Sequence, residues 1–257
     1  MSDQPVIVTT DGPVTRVRLN KPPVNALDIE LTQAIADAVL DIQHSDAEVV
    51  VFSGGDRTLA AGGDIKWMQQ CQTNGDRKSL RQYFRLIQGT YNDIERLPMP
   101  TIAVITGPTL GGGLELALAC DMRVAASNAK IGLPETGLGL LAGAGGVTRL
   151  PELIGRGRAL ELMYTTGTLT PEEGQRLGLI NRLAEPDQLD AAVDQLVSET
   201  LRSSNVALRL VKRAVIAAMD SGRTESLVLE NKGIEELALH PDTIQRLTAF
   251  VEKSSKK

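Results

Sequence analysis

The sequence predicts an α/β domain followed by a helical C-terminal region. Residues 14–19 alternate apolar and polar side chains, as a half-buried strand does, and residues 27–42 follow with apolar positions at helical spacing. Residues 49–52 form a short apolar run that ends in Ser-Gly-Gly, which is typical of a buried parallel strand. Strands and helices that alternate in this way predict a layered α/β core.

A second round of the same elements extends the predicted core. The spacing predicts a helix over 80–97 and a buried strand over 101–106. After a glycine cluster, an apolar helix is expected from about Leu114 to Cys120, and the next strand over 122–125. The two rounds together predict one large core.

The pattern changes after Pro171 to helices with polar faces. The predicted helices are 171–177, 189–201, 206–218, 224–239 and 242–251. The turn Glu185-Pro186-Asp187 divides the chain into a core, 1–185, and a C-terminal helical region, 186–257. We expect the helices of this second region to carry apolar faces that a monomer would leave exposed to water, and hence an oligomer.

The composition argues against several classes of function. A net charge of −5 and 3% aromatic residues disfavour nucleic-acid binding. No apolar run approaches the ~20 residues of a membrane span, so we expect no membrane association. The segment Met1–Pro5 lacks the features of a signal or transit peptide, which favours a cytoplasmic location. A frayed basic tail is expected at 254–257.

Few residues are available for metal or nucleophilic chemistry. Cys71 and Cys120 show no disulfide or zinc spacing and are expected to be buried or half-buried thiols. His44 and His240, the two histidines, lie in polar surroundings and are expected at the surface. A metal site or a Ser/His/Asp triad is therefore not predicted.

Three glycine-rich segments, residues 60–64, 111–115 and 143–146, follow or lie near the ends of predicted strands. Each alone could be a turn or the start of a helix. The middle segment precedes a helix whose first N–H groups have no intrahelical partner, so it could bind an oxyanion. A Walker phosphate loop would end in Gly-Lys-Ser/Thr, and here Leu-Glu follows. The spacing of a dinucleotide fingerprint is also absent around Gly137.

Two carboxylates stand beside these segments. Glu115 begins an apolar helical stretch, where it could interact favourably with the helix N-terminus or transfer protons. Glu135 could be a solvated turn residue. Taken together, two carboxylates in one cleft with different pKa values would provide general acid/base chemistry.

Four segments, in this order and spacing, resemble the crotonase (enoyl-CoA hydratase/isomerase) family. Residues 19–27 resemble its "LNRP...NAL" entry segment, and residues 59–66 resemble its "FAAGADIK" loop. Residues 107–121 resemble "GxxxGGGxELALxCD". The Leu-Pro-Glu of 133–135, followed by 143–150, resembles "xPE...PGAGGTQRL".

This resemblance implies a crotonase-like spiral of ββα units whose helical C-terminal region drives formation of a trimer or a dimer of trimers. It implies an acyl-CoA thioester as substrate, a role in fatty-acid β-oxidation, and no separate cofactor, since coenzyme A is part of the substrate. The oxyanion-hole amides would be those of Gly63 and Gly112. Glu115 would activate water and Glu135 would protonate C2, with Gly143 donating an amide near the water.

The resemblance also implies a substrate-binding surface. Ala60, Ala61, Asp64 and Ile65 would border the adenine, and Lys66 or Lys253 would lie near the phosphates of coenzyme A. The same surface would include Val24 and Ala26. Trp67, Met68 and residues 138–141 would form the wall of the acyl pocket.

Two residues depart from the family pattern. Gly63 replaces a common alanine, and Ala142 replaces the proline that commonly precedes the Gly143 turn. Both substitutions keep the chemical groups of the site but could alter specificity. The sequence therefore favours an enoyl-CoA hydratase, while an isomerase, another crotonase-type acyl-CoA lyase, or a catalytically idle acyl-CoA-binding member stays open.

Overall fold

The structure, a computed structural model, describes residues 4–255 and contains two β-sheets. Met1–Asp3 and Lys256–Lys257, parts of the N-terminus and of the predicted basic tail, lie outside the described residues. Six strands form the large sheet in the order β1-β2-β3-β4-β6-β8, and β5 pairs with β7 in a small one. The strands are β1 (Val6–Asp11), β2 (Val14–Leu19), β3 (Val49–Ser53), β4 (Thr101–Ile105), β5 (Thr109–Leu110), β6 (Met122–Ala126), β7 (Ile131–Gly132) and β8 (Arg182–Ala184).

Helices cover both sheets and form most of the C-terminal part of the chain. The α-helices are α1 (Ile29–Gln43), α2 (Ile65–Thr73), α3 (Arg77–Glu95), α4 (Gly112–Ala119), α5 (Gly146–Ile154), α6 (Arg156–Thr165), α7 (Pro171–Arg176), α8 (Leu189–Leu201), α9 (Asn205–Asp220), α10 (Arg223–Ala238) and α11 (Pro241–Ser255). Two 3-10 helices cover Glu135–Leu138 and Pro186–Gln188.

The chain repeats a strand-strand unit that places one strand in each sheet. After β4 joins the large sheet, β5 enters the small sheet and α4 follows; β6 and β7 then repeat the same path. All neighbours in the large sheet are parallel except β1 and β2. The predicted strands at 14–19, 49–52, 101–106 and 122–125 are confirmed, each to within one residue at its ends.

The large sheet is buried on both faces because successive side chains of a strand point in opposite directions. In β3, Val50 and Phe52 join the main core with α1 and α3, while Val49 and Val51 pack on the other face. That second face is covered by α8 through its buried apolar residues, Leu189, Val193, Leu196 and Val197. Helix α8 comes after the predicted boundary at 185, and it packs on the large sheet of the core. The division of the chain into two regions at 185 stays a prediction.

Helix α4 is buried along its whole length, and Arg123 holds its C-terminal end. The guanidinium group donates to the carbonyl oxygens of Ala117, Cys120 and Leu179 at 3.0, 2.7 and 2.7 Å. Buried carbonyls at a helix end require such partners. Arg123 therefore fixes the position of the helix that carries Glu115.

Both cysteines, Cys71 and Cys120, are buried and free, as predicted. His44 caps the C-terminal end of α1, where its Nδ1 lies 2.9 Å from the Leu40 carbonyl oxygen. Across residues 4–255, every helix is too short or too polar to traverse a lipid bilayer.

Candidate active site

A cavity of about 510 Å³ lies where α3, the start of α4 and the 3-10 helix at 135–138 meet. Its walls are mainly apolar, with Met68, Ile87 and Leu110 among the contributors. Glu115 and Glu135 both line it. The two carboxylates predicted from the sequence to share a cleft therefore do so.

Glu115 is fixed by two main-chain amides of a distant loop. Its side chain is 4% exposed, and its Oε1 accepts hydrogen bonds from the N–H groups of Ala144 and Gly146 at 2.8 and 2.9 Å. The carboxylate thus bonds to the loop before α5 and to the first residue of that helix, and both bonds lie outside its own helix. These two hydrogen bonds fix Oε1 and leave Oε2 free on the side of the cavity.

The surroundings of Glu115 favour its protonated form. Burial raises the pKa of Glu115 to about 7, and the nearby charge of Glu135 acts in the same direction. The amide hydrogen bonds from Gly146 and Ala144 oppose this change, as does the positive charge of Arg149. A carboxyl group with this pKa exchanges protons readily near neutral pH.

Glu135 is the first residue of the 3-10 helix and is half-buried, so the alternative of a solvated turn residue is wrong. Its Oε1 is packed against Gly111, since a Cβ at that position would lie 2.8 Å from it. Its Oε2 is buried and has no hydrogen-bond partner among residues 4–255. Burial also raises the pKa of Glu135. An unpaired buried oxygen facing a cavity is available to a ligand or water.

The amides of Gly63 and Gly112 lie side by side at the cavity. A Cβ on Gly112 would be 3.8 Å from the Gly63 nitrogen, and one on Gly62 would be 3.9 Å from the Gly112 nitrogen. Within the described part of the chain, neither N–H donates a hydrogen bond. Gly112 also begins α4, where the helix dipole favours negative charge. The two donors can therefore stabilise one oxyanion.

Leu27 and two tyrosines of α3 hold these glycines in place. The Leu27 N–H donates to the Gly62 carbonyl at 2.9 Å. Tyr83 Oη donates to the Leu27 carbonyl at 2.5 Å, and Tyr91 Oη donates to the Gly112 carbonyl at 2.9 Å. Burial raises the pKa of both tyrosines, so the hydroxyls stay protonated as donors. Neither role is evident from the sequence, because the face of α3 that meets the glycines depends on tertiary packing.

The predicted acyl wall needs one correction. Met68 and residues 138–141 line the cavity. Trp67 does not; its ring packs edge-on against Tyr83 with centroids 5.3 Å apart, behind the cavity wall. Tyr83, Phe84 and Ile87 of α3 line the cavity, whereas the sequence predicted Trp67 in its wall.

The predicted adenine-binding residues divide into two groups. Ala61 and Ile65 are exposed and line the cavity. Ala60 is 0% exposed, and its carbonyl oxygen would be 1.9 Å from a Cβ on Gly113. Its side chain is therefore buried away from the cavity, and its contact with a ligand stays a prediction. Asp64 caps α2 by accepting from the Trp67 N–H at 3.0 Å.

The remaining predicted binding residues lie around or away from the cavity. Val24 is exposed, and its carbonyl accepts from the Ala61 N–H at 3.0 Å; Ala26 is half-buried. Lys66 is exposed on α2, whereas Lys253 is exposed on α11. Binding of a nucleotide by these four residues stays a prediction.

Gly143 belongs to the loop that holds Glu115, and Arg149 of α5 binds the same loop. Gly143 lines the cavity, and its N–H has no hydrogen-bond partner in the described chain. Arg149 is buried; its Nη1 donates to the Ala144 carbonyl at 3.2 Å, and its Nε and Nη2 bond both carboxylate oxygens of Glu95 at 2.9 and 2.7 Å. Arg149 thus ties the loop to α3, a role that the sequence did not indicate.

Comparisons with known proteins agree with this geometry. The sequence profile of the family described as Enoyl-CoA hydratase/isomerase matches residues 9–257. A crotonyl-CoA hydratase of Syntrophomonas wolfei is 35% identical over 256 residues, 98% of this chain and 97% of that protein. A mitochondrial methylglutaconyl-CoA hydratase of Mus musculus is 38% identical over 236 residues, 89% of this chain and 74% of that protein. A solved enoyl-CoA hydratase from Bacillus anthracis is 32% identical, with a TM-score of 0.90 over 97% of both chains.

These matches confirm the predicted crotonase-like fold with a helical C-terminal region.

We expect full stability of the fold to require glycine at position 63, because Tyr83 occupies the space that a side chain would need. A Cβ at this position would lie 2.9 Å from Tyr83 Oη and 3.0 Å from Met68 Cε. We expect Gly63→Ala to lower the free energy of unfolding by about 1–3 kcal/mol. In the Tyr83→Phe background the loss should be smaller by at least about 0.5 kcal/mol, measured by urea unfolding at one protein concentration. Gly89→Ala, where a Cβ has no neighbour within 4 Å, is the control. Equal losses in both backgrounds would contradict the clash.

The raised pKa of Glu115 predicts a pH-dependent cost to stability. Its pKa is 4.5 ordinarily and about 7 in the folded protein, so between these values the folded state binds more protons than the unfolded state. The stability that Glu115 contributes therefore falls as pH rises through this window, by up to about 3 kcal/mol. Glu115→Gln lacks this titration. We expect its stability relative to the wild type to be greater at pH 8 than at pH 5 in urea unfolding, and a pH-independent difference would exclude a shifted pKa.

Proposed function

Because the chain belongs to the enoyl-CoA hydratase/isomerase family, we propose that it hydrates the 2,3 double bond of an enoyl-CoA thioester. The observation that carries this proposal is the pairing of Glu115 and Glu135 in one cavity beside two unpaired amides. Hydration needs a group that deprotonates water, a group that protonates carbon, and donors for an enolate oxygen. Each requirement has a residue placed to meet it.

The proposed reaction begins with the thioester carbonyl between the amides of Gly63 and Gly112. Attack of water on C3 moves the electrons of the double bond toward the carbonyl, which gives an enolate with negative charge on oxygen. Two preorganised amide donors stabilise this charge more than that of the ground-state carbonyl, at about 2.7–4 kcal/mol for each donor. The N-terminus of α4 adds a favourable dipole at the same point.

The two glutamates then transfer the protons. Glu115 takes a proton from the attacking water through the oxygen that the loop amides leave free. Glu135, whose Oε2 has no partner among residues 4–255, delivers a proton to C2. The new C3–O and C2–H bonds replace the carbon-carbon double bond, so one water is added. Gly143 N–H lies on the cavity wall, where it can orient that water.

The unequal environments of the two carboxyl groups support this division of roles. Glu115 is the more deeply buried and has a pKa of about 7, whereas Glu135 is half-buried. A base with this pKa is partly ionised near neutral pH and still strong enough to accept a proton from water during attack. The like charge of Glu135 disfavours simultaneous ionisation of both groups, so one proton can be shared between them.

Two rivals differ from this proposal in their use of the carboxylates. An isomerase can move one proton with one carboxylate, and an idle acyl-CoA-binding member needs neither. Burial of both Glu115 and Glu135 without ion-pair partners among residues 4–255 is costly, which favours a function for the pair. The acyl group is left open, since the relatives are named for crotonyl-CoA and for methylglutaconyl-CoA.

We place the coenzyme A portion of the substrate along Ala61 and Ile65 at the mouth of the cavity, with Lys66 or Lys253 near its phosphates. The first two residues line the cavity and the lysines are exposed, which leaves their charges available. Coenzyme A is then part of the substrate, and the mechanism uses no separate cofactor. A cytoplasmic location also remains a proposal.

Assembly into a trimer or a dimer of trimers is proposed from the surface of the last three helices. Val211 of α9, Ile234 of α10 and Phe250 of α11 are 60%, 67% and 70% exposed. Large apolar side chains exposed on successive helices are typical of a protein-protein interface. We expect sedimentation at micromolar concentration to give a trimer or hexamer, and a stable monomer would contradict this proposal.

The pairing of the glutamates predicts strongly coupled mutational effects. Glu115→Gln and Glu135→Gln should each lower kcat for crotonyl-CoA hydration by ~10² or more, because each removes a proton-transfer group while keeping size and hydrogen bonding. The double variant should be little worse than the worse single variant, since residues that act as a unit lose their contributions together. Initial rates follow from the loss of enoyl thioester absorbance.

Binding of crotonyl-CoA, measured by calorimetry, should change little in all three variants. Glu172→Gln, an exposed carboxylate of α7, is the matched control and should keep full activity. Full hydratase activity in Glu115→Gln together with loss in Glu135→Gln would overturn the paired mechanism and favour the isomerase.

A further inference from the structure

A second depression, of about 410 Å³, lies on the outer face of α3 next to the catalytic cavity. Arg81, Phe84, Arg85 and Gln88 line it at positions i, i+3, i+4 and i+7, so they share one face of the helix. Arg77, one turn earlier, extends the same row. We call this depression, with its three arginines, the arginine groove.

The arginine groove concentrates positive charge in a protein whose net charge is −5. Among the residues that the structure describes, its lining includes three arginines and no acidic residue. None of the three guanidinium groups has an ion-pair or hydrogen-bond partner within residues 4–255. Arg149, by contrast, is paired with Glu95. Unpaired guanidinium groups in a depression are suited to bidentate binding of a carboxylate or phosphate.

The groove is continuous with the place where chemistry is proposed. Phe84 and Gly143 line both the groove and the catalytic cavity. Gln88 Nε2 donates to the Gly143 carbonyl at 3.0 Å, which anchors the shared wall. Gly143 is adjacent in sequence to Ala144, whose amide holds Glu115. The groove and the catalytic cavity therefore share a wall next to the residue whose amide binds Glu115.

We propose that the arginine groove binds a carboxylate at the far end of the acyl group, so that the preferred substrates are short enoyl-CoA esters of dicarboxylic acids. This inference rests on the proposed function, because it takes the acyl chain to lie between Glu115 and Gly143. Arg85 and Arg81 lie beside Phe84 and would hold the carboxylate, while Phe84 covers the apolar part of the chain.

The phosphates of coenzyme A are the other anions that could occupy the groove. They belong to every acyl-CoA substrate, whereas the distal carboxylate belongs only to the dicarboxylic ones. The two occupants therefore differ in whether loss of an arginine affects crotonyl-CoA as strongly as a dicarboxylic ester.

The test compares glutaconyl-CoA, which ends in a carboxylate, with crotonyl-CoA, which ends in a methyl group. We expect kcat/KM to favour glutaconyl-CoA in the wild-type protein. In Arg81→Gln, Arg85→Gln and the double variant, the ratio of kcat/KM values should fall by about tenfold or more, mainly through KM, because a charge-assisted hydrogen bond is lost. Raising the salt concentration should also lower the ratio of the two kcat/KM values, since Arg81 and Arg85 are exposed to solvent and salt screens their charges. Lys78→Gln, on α3 but outside the groove lining, is the matched control.

Equal losses for both substrates would place coenzyme A phosphates in the groove and overturn the proposal, as would an unchanged ratio. Glutaryl-CoA and butyryl-CoA, which are saturated and cannot be hydrated, give a readout independent of turnover. Tighter binding of glutaryl-CoA than of butyryl-CoA that depends on Arg81 and Arg85 supports the groove even if no ester is hydrated. In that case the proposed function fails and the anion site stands.

Discussion

The hydrogen bonds from Ala144 and Gly146 to Glu115 are the interaction on which the site depends. They join the buried helix α4 to a loop 29 residues later in the chain, and this junction defines the floor of the cavity. The surrounding contacts keep both partners in place. Arg123 holds the end of α4, and Arg149 ties the loop to α3. A carboxylate held in this way has one oxygen fixed and one free for chemistry.

The N-terminal turn of α4 brings opposite electrostatic requirements together. Its amide at Gly112 favours negative charge on a ligand oxygen, while Glu115, one turn later, is a buried acid with a pKa of about 7. Burial of a second carboxyl group, Glu135, adds to the cost, because neither glutamate has an ion-pair partner among residues 4–255. Such an arrangement destabilises the empty site and is typical of catalytic centres. Tyr83 and Tyr91 hold the surrounding backbone at Leu27 and Gly112.

Sequence periodicity predicted β2, β3, β4 and β6 of the large sheet, since buried parallel strands are short apolar runs bounded by turns, but it did not predict the edge strands β1 and β8. The resemblance of the four motifs to the crotonase family also predicted that Glu115, Glu135, Gly63 and Gly112 belong to one site. The contacts of Ala60, Trp67, Arg149 and Tyr83 could not be predicted, because they depend on which helix face meets a loop far away in sequence. Likewise, α8 has the polar face of a surface helix, and its packing on the sheet through Val193 appears only in three dimensions. Local patterns specify elements, whereas long-range packing decides which side of an element reaches the site.

Infrared difference spectroscopy can measure the protonation of Glu115 directly, in an oligomer of any size. The carbonyl band of its protonated acid is identified by its absence in Glu115→Gln and is then followed against pH. We expect a midpoint near 7 in the wild-type protein and a lower midpoint in Glu135→Gln, since removal of a like charge eases ionisation. A midpoint near the ordinary value of 4.5 in both proteins would show that the carboxyl groups do not share a desolvated cleft.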